Sequence, residues 1–516
     1  MTDKAERDSD ARQATVFVRV LDKVASILAT LAAAVAIGYL LWFAAGIVGS
    51  GITEIRGEEP LVISGVMKIL LGLPLYTDPE QPPFDLVQYT PLYHYLLAGG
   101  SWFAGIEPGQ AKAITSSARL LSVSISTIHL VILFLILRYA FQVRGVSAFV
   151  AAAAIWTMHA PWEFMARGDG LASLCFTLAI GIAFYALRRR HVGVRIYLFI
   201  AFASFLGYVA FMAKQNGAQI CVVLLTYFLL QREWRCSVVV IAAAVIPLAL
   251  TVWFSPLLVG EHFLDHVVGG LNNGIRIRGA LEKAYLPVFL DLNMAALTAV
   301  GAYLTCLWWP AKSDPYRRFI AVALAVTFTL ASLSSLKLGA ASHYYNDYIS
   351  VLIFAIAFWL GPIVRERVEY ERPIRWAIAV FAVLFFGCFL YSFRNQYEKR
   401  DWTHFSNYER VVVRLKKDLT SRPDVSFFTI DPTLANHFPG RAVIPQYPLS
   451  AIMHARGVVD YREAEAMMQN GAVRWLFLGD GQNPERQLGF VGIEPGAYTR
   501  QDELDGFSIW VSAAQE

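Results

Sequence analysis

Long apolar runs, separated by short charged ones, dominate the chain from residue 24 onward. They fall at approximately 24–48, 116–137, 146–162, 171–187, 196–213, 216–230, 237–256, 286–309, 319–336, 347–364 and 376–393. Most approach the roughly 20 residues that span a bilayer as α-helix. In hydrocarbon every backbone amide needs a partner within the chain, so continuous helices are the economical reading of these runs. The pattern predicts an all-α polytopic membrane bundle of about eleven spans. One further apolar stretch, Pro91–Ala104, is short and rich in Tyr, His and Gly, and suits a helix lying in the membrane interface.

The pattern changes beyond residue 393. Val425–Ile430, Arg441–Pro445, Val473–Leu478 and Phe507–Val511 read as strands, and Tyr461–Asn470 as a short helix stopped by Gly471. Residues 394–516 are therefore expected to form a linker and a small α/β domain. Gly479-Asp480-Gly481 reads as a plain turn more readily than as an anion cradle, because no helix start clearly follows it.

Charge orients the bundle. Lys and Arg gather at Arg7–Lys23, at Arg138 and Arg144, at Arg188–Arg195, at Arg232 and Arg235, at Lys312–Arg318 and at Arg365–Arg375. Placing all six groups in the cytoplasm leaves an even number of spans between successive groups. Residues 1–23 then form a cytoplasmic N-terminus, residues 24–393 the membrane domain, and the C-terminus lies outside, as expected for a multi-pass protein of the cytoplasmic (inner) membrane. The first external loop covers residues 50–115 and another Leu257–Tyr285, with short turns at Pro161–Gly170, Ala213–Gly217 and Lys337–Asp347. Composition agrees: 56% of the 516 residues are hydrophobic and 16% charged, where a soluble domain carries about 25% charge. A net charge of +4, broken into short runs, gives no reason to expect nucleic acid. The five cysteines, Cys175, Cys221, Cys236, Cys306 and Cys388, lie in or beside apolar runs and outline neither a disulfide framework nor a metal motif.

The candidate chemistry sits at the external ends of spans, where charge is costly and calls for partners. Glu58 and Glu59 precede Pro60 at the start of an apolar stretch, Leu61–Leu71, that Gly72 can end. Arg167-Gly168-Asp169, Lys214-Gln215-Asn216 and His343-Tyr344-Tyr345-Asn346 occupy the short turns. Each has a bland explanation, helix capping for the glutamates and snorkelling or hairpin capping for the rest. Together they would line one rim with carboxylates, cations and amides. A transferase with a lipid-phosphate donor needs a carboxylate to take the acceptor proton and cations to stabilise the departing phosphate.

Three segments carry a family resemblance: Glu58-Glu59-Pro60; Ile69-Leu70-Leu71-Gly72-Leu73-Pro74-Leu75-Tyr76-Thr77-Asp78-Pro79; and Tyr89-Thr90-Pro91-Leu92-Tyr93-His94-Tyr95-Leu96. They resemble the first external loop of membrane-embedded GT-C glycosyltransferases, in the branch of protein O-mannosyltransferases and aminoarabinose-to-lipid-A transferases. Arg119 is similar to an Arg opening the second span of that class, Arg167–Ala172 to its second acidic turn, and Ala213-Lys214-Gln215 to a further motif. The resemblance covers about Ile52–Gly217 and implies a polyprenyl-phosphate sugar donor, a lipid, glycan or protein acceptor, contact with membrane lipids, and inversion at the anomeric carbon. It further implies Glu58 as general base, with Glu59 and Asp169 orienting cations or acceptor groups. Arg119, Arg167, Lys214 and His343 would offset phosphate charge, and Gln215, Tyr344 and Asn346 would complete the substrate-binding set. The class usually has Asp where this chain has Glu58, which shifts the carboxylate by about an ångström and leaves open which glutamate acts. Some members of the class bind a divalent metal near the acidic pair; this sequence displays no His-rich ligand set, and cofactor use stays open. A transporter or lipid flippase would more typically show broken spans and internal symmetry. A non-catalytic assembly protein would leave the short-turn charges purely structural.

Overall fold

The computed structural model describes residues 2–55, 58–189, 193–272, 274–286, 292–310, 314–338, 340–366, 371–479, 481–494 and 498–513. Arg190, Lys312 and Arg367 of the orienting clusters, together with Arg56 and Asp480, lie outside these residues. The chain is a multi-pass helical membrane protein with a small sheet domain at its C-terminal end.

Seven described helices are long and apolar enough to cross a membrane: Lys23–Gly49, Ala111–Ala140, Asp169–Arg188, Val194–Ala213, Trp234–Leu258, Pro315–Ser334 and Ala379–Tyr397. The remaining expected spans coincide with helices Gly145–Glu163, Gln219–Gln231, Leu292–Trp308 and Asn346–Glu366. Those four do not meet the same test over their described residues, so the count of eleven is not established. The first helix is longer than its apolar run, extending from Thr2 to Gly49.

Packing inside the bundle follows the side chains available. Ala25, Ala29, Ala33 and Ala36 form a buried seam with Ala153, Ala379 and Ala382, bringing the first helix against Glu371–Tyr397. Apolar lipid gives little hydrophobic reward for helix association, so close backbone approach through small residues does that work. Larger side chains fill the centre, where Phe141 stacks on Phe184 with ring centroids 4.0 Å apart.

The first loop contains two helices. Glu59–Leu70 starts on Pro60, whose fixed φ suits a first turn, and the chain reverses at Gly72, where φ is +72°. Pro91–Phe103 begins the same way after extended Thr90, and its Trp102 and Phe103 are exposed, as an interfacial helix requires. The Leu257–Tyr285 segment packs back onto this loop. The Tyr76 amide donates to the Val259 carbonyl at 3.0 Å, and the Val87 amide donates to His266 Nδ1 at 2.8 Å.

The C-terminal domain has five strands: β1 Ser426–Thr429, β2 Ala442–Val443, β3 Val473–Gly479, β4 Tyr498–Leu504 and β5 Phe507–Ser512. Their spatial order is β2-β1-β3-β5-β4, with β1 parallel to both β2 and β3, and β5 antiparallel to β3 and β4. β4 has no counterpart among the expected strands, because Tyr498–Leu504 is polar and exposed, as suits a sheet edge. The amphipathic helix Glu409–Ser421, also unanticipated, buries Val411, Leu415 and Leu419 against one sheet face. The other face is completed from the membrane domain, since Phe84 and Leu86 enter its core. The Ile444 amide donates to the Pro83 carbonyl at 3.0 Å, and Asn436 Nδ2 donates to the Pro60 carbonyl at 2.8 Å. The sheet domain is thereby seated directly over the loop that carries Glu58 and Glu59.

Candidate functional site

The two adjacent glutamates have different surroundings. A helix turns about 100° per residue, so neighbours at its first turn cannot face the same partner. Glu59 is fully buried and accepts four hydrogen bonds: Arg119 Nε at 3.0 Å, Arg119 Nη2 at 2.8 Å, the Ile55 amide at 2.6 Å and the Ala166 amide at 3.0 Å. Arg119 is 1% exposed, and its Nη1 donates to the Ile52 carbonyl at 2.7 Å. This forked pair ties the first helix end, the first loop, the second span and the turn before Arg167 into one unit.

Glu58 stands at the helix start without using its side chain as a cap. Its side chain is 37% exposed, and Oε2 accepts from Arg167 Nη1 at 2.9 Å. Oε1 accepts no hydrogen bond from the described residues. Arg167 is 3% exposed, lies over the Trp162 ring at 5.6 Å, and contacts Asp169 Oδ2 through Nε at 3.1 Å. Asp169 Oδ1 in turn pairs with Lys214 Nζ. The result is an alternating row: Glu58, Arg167, Asp169, Lys214.

Two glycines permit the row. A Cβ on Gly168 would stand 2.2 Å from the Ala213 carbonyl oxygen, and one on Gly217 would stand 2.4 Å from that of Ala210. A side chain at Gly168 would separate the turn bearing Arg167 from the turn bearing Lys214, and one at Gly217 would press the Lys214 turn off the helix Val194–Ala213 that leads into it. Burial disfavours the charged form of Lys214 and lowers its pKa; Asp169 opposes that shift.

Other expected residues surround the row. His343 Nε2 lies 4.0 Å from Asp169 Oδ1, and its ring packs on Trp162 with centroids 4.3 Å apart. Tyr344 presents its ring to Lys214 Nζ at 5.9 Å, and burial pushes its phenol up to about 12. Gln215 Nε2 donates to the Gln88 carbonyl, joining this turn to the first loop. Asn346 is buried, and its carbonyl faces His159 Nε2 at 3.1 Å, below the rim. Arg119 stands apart, committed to Glu59 and to backbone carbonyls.

Two groups escape the sequence reading. Lys337 forms no ion pair among the described residues; burial, then neighbouring Lys214, lowers its pKa to about 8. Its strand-like pairing with Ile275 sets it beside the rim, but the sequence displays only a lysine in a loop. The second is a buried trio, His129, His159 and Glu163, whose candidate ligand atoms lie within 4.8 Å of one another. Its two histidines sit on separate apolar helices, 30 positions apart, so no motif announces them. At the rim itself, Glu58 and Asp169 are already neutralised by Arg167 and Lys214. That set does not fit a metal ion, because cations occupy the positions a metal would balance.

No protein-family model and no curated protein sequence matches the chain. Solved structures do. The chain is similar to ArnT from Cupriavidus metallidurans bound to undecaprenyl phosphate, with 12% identity and a TM-score of 0.57, over 93% of this chain and 98% of that one. It is similar to the apo oligosaccharyltransferase of Archaeoglobus fulgidus, with 11% identity and a TM-score of 0.58, over 87% and 69%. The likeness extends to AglB from Archaeoglobus fulgidus in complex with an inhibitory peptide and a dolichol-phosphate, at 10% identity and a TM-score of 0.57, over 90% and 70%. The architecture is therefore the GT-C fold of membrane glycosyltransferases, in agreement with the first-loop resemblance.

Proposed function

We propose that the chain is a membrane glycosyltransferase that moves a sugar from a polyprenyl-phosphate donor to an acceptor. The observation carrying this reading is the row Glu58–Arg167–Asp169–Lys214, which leaves one carboxylate oxygen without a partner among the described residues at the rim of a GT-C bundle. Two similar structures hold lipid phosphates, undecaprenyl phosphate in one and dolichol-phosphate in the other. The rim lies on the outer side of the cytoplasmic membrane in this reading, with the N-terminus inside and residues 394–516 outside, as the basic clusters require.

The chemistry is one displacement with inversion. The acceptor hydroxyl gives its proton to Glu58, and its oxygen bonds to the anomeric carbon. The bond from that carbon to the phosphate oxygen breaks, and the lipid phosphate leaves with the electron pair. Glu58 suits the base, since one of its oxygens has no partner among the described residues, whereas Glu59 has four donors on its carboxylate. Asp169 holds Arg167 and Lys214 in place, and those cations with Lys337 stabilise the phosphate as it departs. His343, Tyr344 and Gln215 shape the donor's surroundings, and Asn346 supports them from below. The acceptor, whether lipid, glycan or protein, approaches between the first loop and the sheet domain seated on it.

The test supplies radiolabelled polyprenyl-phosphate sugars to membranes containing the protein and follows the label. Transfer that requires the protein and is lost in Glu58→Gln is the expected result. Absence of transfer from every donor, with uptake or flipping of lipid-linked sugar instead, would establish the transporter reading.

A further inference from the structure

Beneath the rim lies a second polar assembly, which the transfer chemistry leaves unused. Glu163 ends the helix Gly145–Glu163, four residues before Arg167, and is fully buried. Its Oε1 faces His129 Nδ1 at 2.8 Å and His159 Nδ1 at 3.2 Å. Its Oε2 accepts from Ser126 Oγ at 2.6 Å, and that hydroxyl is itself fixed by Trp156 Nε1 at 2.9 Å. His129, His159, Ser126 and Thr177 are each 0% exposed.

The partners of His159 fix where its Nε2 hydrogen lies. His159 Nε2 faces the Asn346 carbonyl at 3.1 Å, and a carbonyl can only accept. Ser350 Oγ, 3.0 Å from the same nitrogen, lies 3.1 Å from that carbonyl as well and donates to it. Nε2 therefore carries the hydrogen. In a neutral ring Nδ1 then has a lone pair, aimed 3.2 Å from a carboxylate oxygen that has only lone pairs to offer. A proton or a metal ion between them would satisfy both atoms. His129 also has Nδ1 on Glu163, and its Nε2 lies 2.9 Å from Thr177 Oγ1, a hydroxyl that can donate or accept.

We propose that His129 Nδ1, His159 Nδ1 and Glu163 Oε1 bind a divalent metal ion of the zinc class, which clamps the second span to the third directly below the rim. Zinc binds imidazole nitrogen and carboxylate oxygen at about 2.0–2.2 Å, which places tetrahedral ligands roughly 3.3 Å apart. The observed 2.8 and 3.2 Å need to open by only a fraction of an ångström. The surroundings match those of bound zinc, since the far nitrogen of each histidine and the second carboxylate oxygen all have partners outside the ligand set. The ion and Glu163 together leave one positive charge, and Asp347, 9% exposed, is the neighbouring carboxyl group. A metal here would fix the turn from Phe164 to Gly168, which carries Arg167, without touching donor or acceptor.

The experiment is metal analysis of the full-length protein purified in detergent, with cobalt substitution as a second readout. Wild type should hold about one equivalent of zinc after incubation with zinc and dialysis, since a preformed site binds tightly. Cobalt in its place should show the visible d–d absorption of a low-coordinate ion. His129→Gln and Glu163→Gln should lose the ion. Thr177→Val, a near-isosteric change that spares the fold, should weaken zinc binding by about 10- to 100-fold, because it removes the partner orienting His129. Glu58→Gln should retain the ion in full. Wild type that binds neither zinc nor cobalt would overturn the proposal and assign the cluster to an imidazolium–carboxylate pair. An ion kept by His129→Gln and lost by Glu58→Gln would overturn it too, by moving the metal to the rim. None of these readouts depends on glycosyl transfer, so they stand or fall apart from the proposed activity.

Discussion

Glu58 and Glu59 are neighbours in the chain, yet one faces the rim and the other is sealed inside the first-loop junction. Glu59 has its full set of donors and lies against a buried guanidinium. Glu58 has one cation on one oxygen and is partly open to solvent. The contrast shows how a single helix start can supply both a scaffold bond and a reactive group. The scaffold bond also aims the reactive one, because the Ala166 amide that binds Glu59 precedes Arg167, which holds Glu58.

The largest effect expected from disturbing this contrast is on turnover. Glu58→Gln keeps the shape but removes the basic oxygen, and general bases typically contribute 10²–10⁴-fold. Transfer should fall on that scale, measured as kcat with labelled donor, while folding and donor binding persist. Wild-type turnover in Glu58→Gln, beside an inactive but folded Glu59→Gln, would exchange the roles assigned here.

Next comes stability. Glu59→Gln leaves Arg119 charged and buried without its carboxylate, and breaking such a pair costs about 3–5 kcal/mol. The variant should show a marked loss of extractable, monodisperse protein and a lower unfolding temperature in detergent. Adding Arg119→Gln should restore part of that loss, since the stranded charge then disappears. Little change in stability for Glu59→Gln would mean the forked pair is not the anchor its geometry describes.

A smaller effect is expected at the cations. Arg167→Ala and Lys214→Ala should each reduce turnover at least tenfold, or about 1.4 kcal/mol of barrier. Both belong to the row, so the loss should appear chiefly in kcat, with the unfolding temperature moving less than in Glu59→Gln. Full activity in both would return these residues to hairpin capping.

The sequence made some of this legible, and the reasons are physical. Apolar runs mark helices because length and hydropathy are local properties, and Arg167, Asp169 and Lys214 stood out because charge in a short turn between spans is expensive. The separate roles of Glu58 and Glu59 were not legible, because they depend on Arg119, 60 positions away, reaching the first loop. Nor was the His129–His159–Glu163 cluster, since isolated histidines in apolar helices look like core residues until two helices are packed together. β4 was missed for the opposite reason: its TRQDE stretch has the polarity of a loop and becomes a strand only beside β5.

The smallest effect concerns Lys337, and pH separates its two consequences. Burial and Lys214 lower its pKa from the usual lysine value to about 8. Below pH 8 the ammonium is charged and can attract the donor phosphate; above it, that attraction fades. The kcat/KM for donor, which reports the free enzyme, should therefore decline as pH rises through about 8. Lys337→Arg should abolish this limb, because a guanidinium stays protonated throughout the range. Stability should move the other way. Between pH 8 and the ordinary lysine range the unfolded chain binds more protons than the folded one at this position, so the contribution of Lys337 to stability rises with pH there. A donor kcat/KM that is flat through pH 8 in wild type, or one that falls equally in Lys337→Arg, would remove Lys337 from the phosphate site and leave Arg167 and Lys214 to hold it.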